Sequence, residues 1–244
     1  MPVSFGRPRR HFAVTDSTNE RARSLALAGA PSGTVVTAEE QTAGRGRRGR
    51  TWSAPRGKAL LYSAILRPLG REHGLLPLAV PLAVCEAVES LAPVRCAVKW
   101  PNDVWIEGRK VAGVLIEAHP PGWAVIGIGL NLAVEPGELP GDLRHPATSI
   151  GRGATVDAAL AAVNQRLDHW VEARGDSVLE EFRARDALRG RELRWEGAGG
   201  VADSGAGVAE GIDERGNLAV LTGEGERLTL GAGEVRLAIP DGEA

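Results

Sequence analysis

Apolar positions along the chain recur with two different periods. From Asp16, the run DSTNERARSLALAGA sets Ala22, Leu25 and Ala26 on one helical stripe, with capping-box spacing between Ser17 and Glu20 and a stop at Gly29. That predicts a helix from Thr18 to Ala28. Residues 1–14 before it read as an exposed arm or first strand. GTVVTAEEQ and ALLYSAILRP are β-branched and apolar runs expected to be strands, the second one buried. Leu75 to Leu91 is apolar on most faces, so it predicts a buried helix. VRCAVKW is a short strand that meets a turn at Pro101-Asn102-Asp103. Val111 to Ala118 and Trp123 to Leu132 read as adjacent strands joined through His119-Pro120-Pro121-Gly122, and residues 154–173 and 176–188 as helices separated at Gly175. After Gly190 short runs (RELRW, GVAEGI, NLAVLT, ERLTLG, EVRLAI) alternate with turn residues, the spacing of a small all-β barrel or sandwich, with Gly205 to Gly211 read as loose. Two domains are expected, residues 1–188 and 189–244.

Composition narrows the class. Of 244 residues, 43% are hydrophobic and 25% charged, the balance of a folded globular chain; with 4% aromatics the core must rest on Leu, Val, Ile and Ala. A net charge of −2 makes no global demand for nucleic acid or an anionic membrane. Cys85 and Cys96 sit in apolar runs outside any C-x-x-C and read as reduced core residues, and the five histidines show no metal-ligand spacing, so no metal site is expected in the protein itself. The basic N-terminus lacks an apolar signal core, and the longest apolar run, Leu75 to Cys85, is short and holds two prolines. A cytoplasmic protein is expected, with no membrane association.

The richest chemistry lies in Gly44-Arg45-Gly46-Arg47-Arg48-Gly49-Arg50-Thr51-Trp52. Between Gly44 and Lys58 there are six basic residues and no acidic one. Glycines let backbone approach a ligand, and guanidinium forks match carboxylate and phosphate oxygens. Such a loop suits a substrate carrying both groups and would order as the ligand's anion offsets the arginines' repulsion. A solvated basic turn, an Arg/Gly RNA-binding segment and a degenerate P-loop compete with that reading; the P-loop would have Arg50 in place of lysine and no evident following helix. Downstream, Lys99-Trp100-Pro101-Asn102-Asp103 ends a strand, with Pro101 fixing the turn. Lys110-Val111-Ala112-Gly113 opens the next, where small neighbours would let Lys110 point into a pocket. Gly127-Ile128-Gly129-Leu130-Asn131 ends an apolar strand but lacks the third glycine of a dinucleotide fingerprint. Each segment alone is more simply structural; their conjunction in this order is not.

These four segments resemble the bacterial biotin–protein ligase family, in the monofunctional form without an N-terminal DNA-binding domain. The resemblance covers about residues 15–150 by motif and the β-rich tail more loosely. It implies an α+β fold: a mixed, mainly antiparallel sheet flanked by helices, related to class II aminoacyl-tRNA synthetases, with a small C-terminal SH3-like β-barrel. It implies ATP-dependent ligation of biotin to a lysine of a biotin carboxyl carrier protein through biotinyl-5′-AMP, with ATP and Mg²⁺ as co-substrate and its ion. The biotin contacts it implies are Ser17, Thr18, Asn19, Gln41, Gly44, Arg45, Gly46, Arg47, Trp52, Lys110 and Gly113; for Ser17 a ligand role competes with capping and is preferred. The ATP contacts it implies are Arg45, Arg48, Arg50, Trp52, Lys99, Asn102, Lys110 and Asn131. Arg47, Lys99 and Lys110 would neutralise carboxylate and phosphates, and Asp103 would orient or deprotonate the carrier amine. The short stretch before Asp16 leaves no room for a helix-turn-helix, so no specific DNA binding is expected; oligomeric state stays open, a homodimer included. A lipoate ligase or cysteine-dependent octanoyltransferase, an RNA-binding module and a P-loop NTPase are the rivals.

Overall fold

In the computed structural model, which describes residues 3–120, 122–138, 146–151, 153–197, 204–232 and 235–238, the main sheet has seven strands. They are β1 (Arg9–Thr15), β2 (Val35–Gln41), β3 (Ala59–Leu66), β4 (Cys96–Lys99), β5 (Asp103–Ile106), β6 (Arg109–His119) and β7 (Trp123–Asn131). They lie in the order β1-β2-β3-β7-β6-β5-β4. β1 and β2 pair in parallel and every other neighbour is antiparallel. The expectations that fall on residues 1–2, Pro121, 139–145, Arg152, 198–203, 233–234 and 239–244 lie outside the described residues.

The two faces of β3 explain its unbroken apolar sequence. Leu60, Tyr62, Ala64 and Leu66 join the main core, while Ile65 belongs to a smaller cluster under the first helix. A strand covered on both sides has no polar face to show. On one side lies α1 (Thr18–Leu27), burying Ala22 and Ala26 against Val36, Ile65 and Val125. On the other lie α2 (Leu76–Leu91), α3 (Val156–Trp170) and α4 (Gly175–Arg185). α2 with the short 3-10 turn before it is long and apolar enough to cross a membrane by composition. Here it is the central core helix, packed on α3, α4, β4 and β6. Truncating one of its buried leucines to alanine would cost about 2–5 kcal/mol.

The C-terminal strands are β8 (Glu192–Gly197), β9 (Gly205–Ile212), β10 (Leu218–Thr222), β11 (Arg227–Leu230) and β12 (Val235–Ala238), in the order β11-β10-β9-β8-β12, all antiparallel. Among the described residues no ladder joins the outer strands β11 and β12. Gly205 to Gly211, expected to be loose, is ordered strand: it pairs with β8 and β10, and the missing side chain of Gly205 accommodates the Trp195 ring. The small sheet shares the main core through Leu193, Trp195, Leu218 and Val220. Trp100, buried in the large sheet's turn, donates its indole N–H to the Gly216 carbonyl at 2.9 Å.

Candidate active site

The strand alternation leaves β6 and β7 bare where they face α1. Gly113 on β6 and Gly129 on β7 are register partners, and Gly127 lies two residues before Gly129. A β-carbon on Gly129 would overlap the Trp52 ring, and one on Gly127 would overlap the Asn19 amide. The glycines are therefore needed for close approach of neighbouring side chains. Above this strip opens a cavity of about 530 Å³.

One end of the cavity is polar and uncharged. Thr18 donates both its backbone N–H and its hydroxyl to Gln41 Oε1, at 2.7 and 3.0 Å. Ser63 Oγ, fully buried on β3, lies 2.8 Å from Thr18 Oγ1 and 2.6 Å from Asn19 Oδ1. Gln41 thus takes one of the free N-terminal amides of α1, that of its first residue. Ser17 stands at the N-cap position, but its side chain makes no capping bond. The capping-box expectation is corrected, and the Ser17 hydroxyl is left for the cavity.

The other end is charged. Lys110 Nζ lies 2.6 Å from Asp103 Oδ1 and 5.5 Å from the Trp52 ring centroid. Burial pushes the Asp103 carboxyl up, but Lys110 and Lys99 outweigh it and hold the group below the ordinary carboxylate range. Lys99 and Asp103 face each other across the β4–β5 turn as register partners, which is how the lysine's charge reaches the carboxylate. Arg47 donates to Asn102 Oδ1 at 3.2 Å and to the Ala232 carbonyl in the turn after β11. Its own burial, with Arg48 and Arg50 nearby, lowers the guanidinium's pKa from its ordinary value, Asp103 opposing. Asn131 donates to the Thr148 carbonyl at 3.0 Å. Its Oδ1 is buried with no partner among the described residues, as is the Trp52 indole N–H.

The Gly/Arg segment is a small hairpin. Trp52 N–H donates to Gly44 O at 3.0 Å, Gly46 N–H to Arg50 O at 2.7 Å, and Arg45 bridges Thr51. At its tip is a 3-10 turn, Arg47–Gly49, in which Arg48 has φ 58°, a left-handed conformation costly for a side-chain-bearing residue. Arg45 pairs with Glu20 of α1 and, at 3.2 Å, with Glu117 of β6. No helix follows Thr51, which removes the P-loop reading. Cys85 and Cys96 are core residues outside the cavity lining, and contact with Cys96 and burial push the Cys85 thiol up, so neither serves as a cavity nucleophile.

Of the site residues expected from sequence, Ser17, Thr18, Asn19, Gln41, Arg45, Gly46, Arg47, Arg50, Trp52, Asn102, Asp103, Lys110, Gly113 and Asn131 line the one cavity. Gly44, Arg48 and Lys99 do not. Gly44 serves the hairpin, since a β-carbon there would overlap the Trp52 carbonyl. Arg48 is exposed at the tip, and Lys99 is buried behind Asp103, 5.8 Å from the Trp105 ring. Sequence reasoning missed Ser63, Glu117, Thr51, Ser53 and Ala147; the alternation of β3 and β6 marks Ser63 and Glu117 only once the strand order is known.

The profile of the Biotin/lipoate A/B protein ligase family matches residues 11–131. The chain is 35% identical over 238 residues to the biotin–[acetyl-CoA-carboxylase] ligase of Mycobacterium tuberculosis, covering 91% of this chain and 86% of that protein. It is 37% identical over 245 aligned positions to the corresponding ligase of Paracoccus denitrificans, covering 92% and 98%. Among solved structures, the biotin protein ligase of Aquifex aeolicus in complex with biotin and ATP superposes with a TM-score of 0.82 at 29% identity, over 96% of this chain and 100% of that one.

Proposed function

The chain belongs to the biotin protein ligase family of ATP-dependent ligases, and from that premise we propose that its cavity joins biotin to AMP and then hands the biotinyl group to a lysine of a carboxyl carrier protein. The observation that carries this reading is the division of one cavity into an uncharged hydrogen-bonding end and a cationic end. Biotin has the same division: a neutral ureido ring and, at the far end of an aliphatic tail, a carboxylate.

The ring would be read by Ser17, Thr18 and Gln41, with Asn19 shaping the floor, and the tail would run beside the Trp52 ring, which itself rests on Gly113 and Gly129. The carboxylate then meets ATP where Arg47, Arg50 and Lys110 converge. Two anions repel, and these cations offset that repulsion. A carboxylate oxygen attacks the α-phosphorus, the bond to the pyrophosphate oxygen breaks, and pyrophosphate leaves with the electron pair. The unpartnered Asn131 Oδ1 is available to a nucleotide donor, with Asn102 and Trp52 beside it. Lys99 acts through Asp103 and not on substrate. In the second step the neutral amine of the carrier lysine attacks the acyl carbon and AMP departs. A carboxylate held below its ordinary range is a weak base, so Asp103 orients the amine and fixes Lys110, and the proton passes to solvent.

Mg²⁺ has no cradle of its own: among the described residues no three His, Cys, Asp or Glu side chains gather to hold an ion, and Asp103 is already paired with Lys110. The ion would arrive with the nucleotide. We place the catalytic unit in residues 1–188 and the small β domain, as an SH3-like barrel, in 189–244. The decisive experiment is biotin-dependent exchange of labelled pyrophosphate into ATP by the pure protein. Exchange is expected only when biotin is present; no exchange, with intact fold and nucleotide binding, rejects the adenylation step.

A further inference from the structure

The hydrogen bonds under the uncharged end of the cavity lead to a residue that does not line it. Glu117 lies on β6, two and four residues beyond Leu115 and Gly113 and so on the same face. Its Oε2 accepts from Asn19 Nδ2 at 2.8 Å, and its Oε1 lies 3.2 Å from the Arg45 guanidinium. A single carboxylate therefore touches both the floor residue of the head-group end and the first arginine of the hairpin.

The chemistry of the groups makes this contact directional. A carboxylate only accepts hydrogen bonds, so the Asn19 amide must present its NH₂ to Glu117 and its oxygen to Ser63. Ser63, 2.6 Å from that oxygen, has a single proton to give and is satisfied by this arrangement. Without the carboxylate, both orientations of the amide would be open, because a hydroxyl can donate or accept. The Arg45 pair is less open to solvent than an ordinary surface pair on one side only: the Glu117 side chain is 22% exposed, the Arg45 side chain 44%. Glu20, on α1, flanks the same guanidinium. Arg45 starts the hairpin whose other residues, Arg47, Arg50 and Trp52, line the charged end and the middle of the cavity.

We propose that Glu117 is a positioning residue that locks the Asn19 amide in one orientation and anchors the hairpin through Arg45, so that recognition of the neutral head group and closure of the basic loop are coupled. The proposal rests on the biotin-ligase reading for the identity of the head group, but not for the anchoring of the loop.

The test compares Glu117→Gln and Glu117→Ala in the full-length protein. Glutamine still offers Asn19 an oxygen but no charge to Arg45; alanine offers neither. Trypsin supplies a readout independent of catalysis, because Arg47, Arg48 and Arg50 are cleavage sites within the hairpin. Without ligand, both variants should be nicked there roughly 5–10-fold faster than wild type, the order expected for loss of one charge-assisted contact. In biotin-dependent exchange, Glu117→Ala should raise the KM for biotin about 10-fold with kcat within about 3-fold, and Glu117→Gln, whose amide can donate as well as accept and so no longer excludes the flipped Asn19, should recover only part of that KM. In an Arg45→Ala background, Glu117→Gln should add nothing to the nicking rate, which keeps the test usable if the alanine variant folds poorly. Wild-type nicking of both variants, additive effects with Arg45→Ala, or a glutamine variant as impaired in KM as the alanine one would each overturn the proposal. If the wild-type protein shows no biotin-dependent exchange, the ligase reading fails while the nicking rates still decide the anchoring.

Discussion

The two ends of the cavity solve recognition by opposite means. At the head-group end, Thr18, Asn19, Gln41 and Ser63 are satisfied by one another, and the sole charge in contact, Glu117, stands behind them. At the far end Lys110, Asp103, Lys99 and Arg47 interact by charge, and a buried acceptor and donor have no partner among the described residues. A pre-satisfied neutral network loses little when a ligand enters and selects it by shape and hydrogen-bond direction. A charged cluster is strained by its own repulsion until an anion arrives, so it gives most where negative charge accumulates. On the proposed reading, discrimination and rate enhancement are separated along one groove.

Substitutions can break that separation. The largest effect is expected for Lys110→Ala, which removes a cation from the charged end and leaves Asp103 buried without its nearest partner. Adenylate formation should fall roughly 10²–10³-fold, with a much smaller change in biotin affinity; equal losses in both, measured by exchange kinetics and calorimetry, would show that the two ends act as one. Gly129→Ala strikes the floor between them. Its β-carbon overlaps the Trp52 ring, an overpacking worth about 1–3 kcal/mol, and thermal melting together with biotin titration should both show it. Thr18→Val keeps shape but removes the hydroxyl shared with Gln41 and Ser63. Biotin affinity should drop roughly 5-fold, about 1 kcal/mol, with nucleotide affinity unchanged. The smallest effect is on stability against pH. Because the Asp103 carboxyl is held below its ordinary value of 3.8 in the folded state, it adds stability at neutral pH that disappears as pH falls through the depressed value. Asp103→Asn should lack that component, so the stability gap between wild type and variant narrows on acidification below 3.8, as urea melts at a series of pH values would reveal.

Much of this architecture is legible in the chain. The helical stripe of Ala22, Leu25 and Ala26 gave α1 to within a residue, and the apolar runs gave β3, β6, β7 and α2. β5 was invisible because Asp103–Ile106 is too short to show a period and sits inside a turn motif. β9 was hidden by its glycines, which local propensity reads as slack and cross-strand pairing with β8 and β10 overrides. At the site, contiguous motifs delivered the hairpin, Asp103, Lys110 and Asn131. Lys99 does not line the cavity: it shares a face with its register partner Asp103 but stands one strand further out, on the edge strand β4. Ser63 and Glu117 carry no motif: they meet Asn19 only because β3, β7 and β6 lie side by side.

The fastenings between the two sheets end on main-chain oxygens: Trp100 reaches the carbonyl of Gly216, and Arg47 that of Ala232. A peptide carbonyl survives every side-chain replacement. The outer surface of the small sheet is therefore free to be rewritten wholesale while its grip on the catalytic hairpin persists, provided the path of its backbone is kept. Interchange of this module between related ligases should be limited by curvature, loop length and the buried Leu193, Trp195, Leu218 and Val220 that share the main core, and little by the residues on its outer surface.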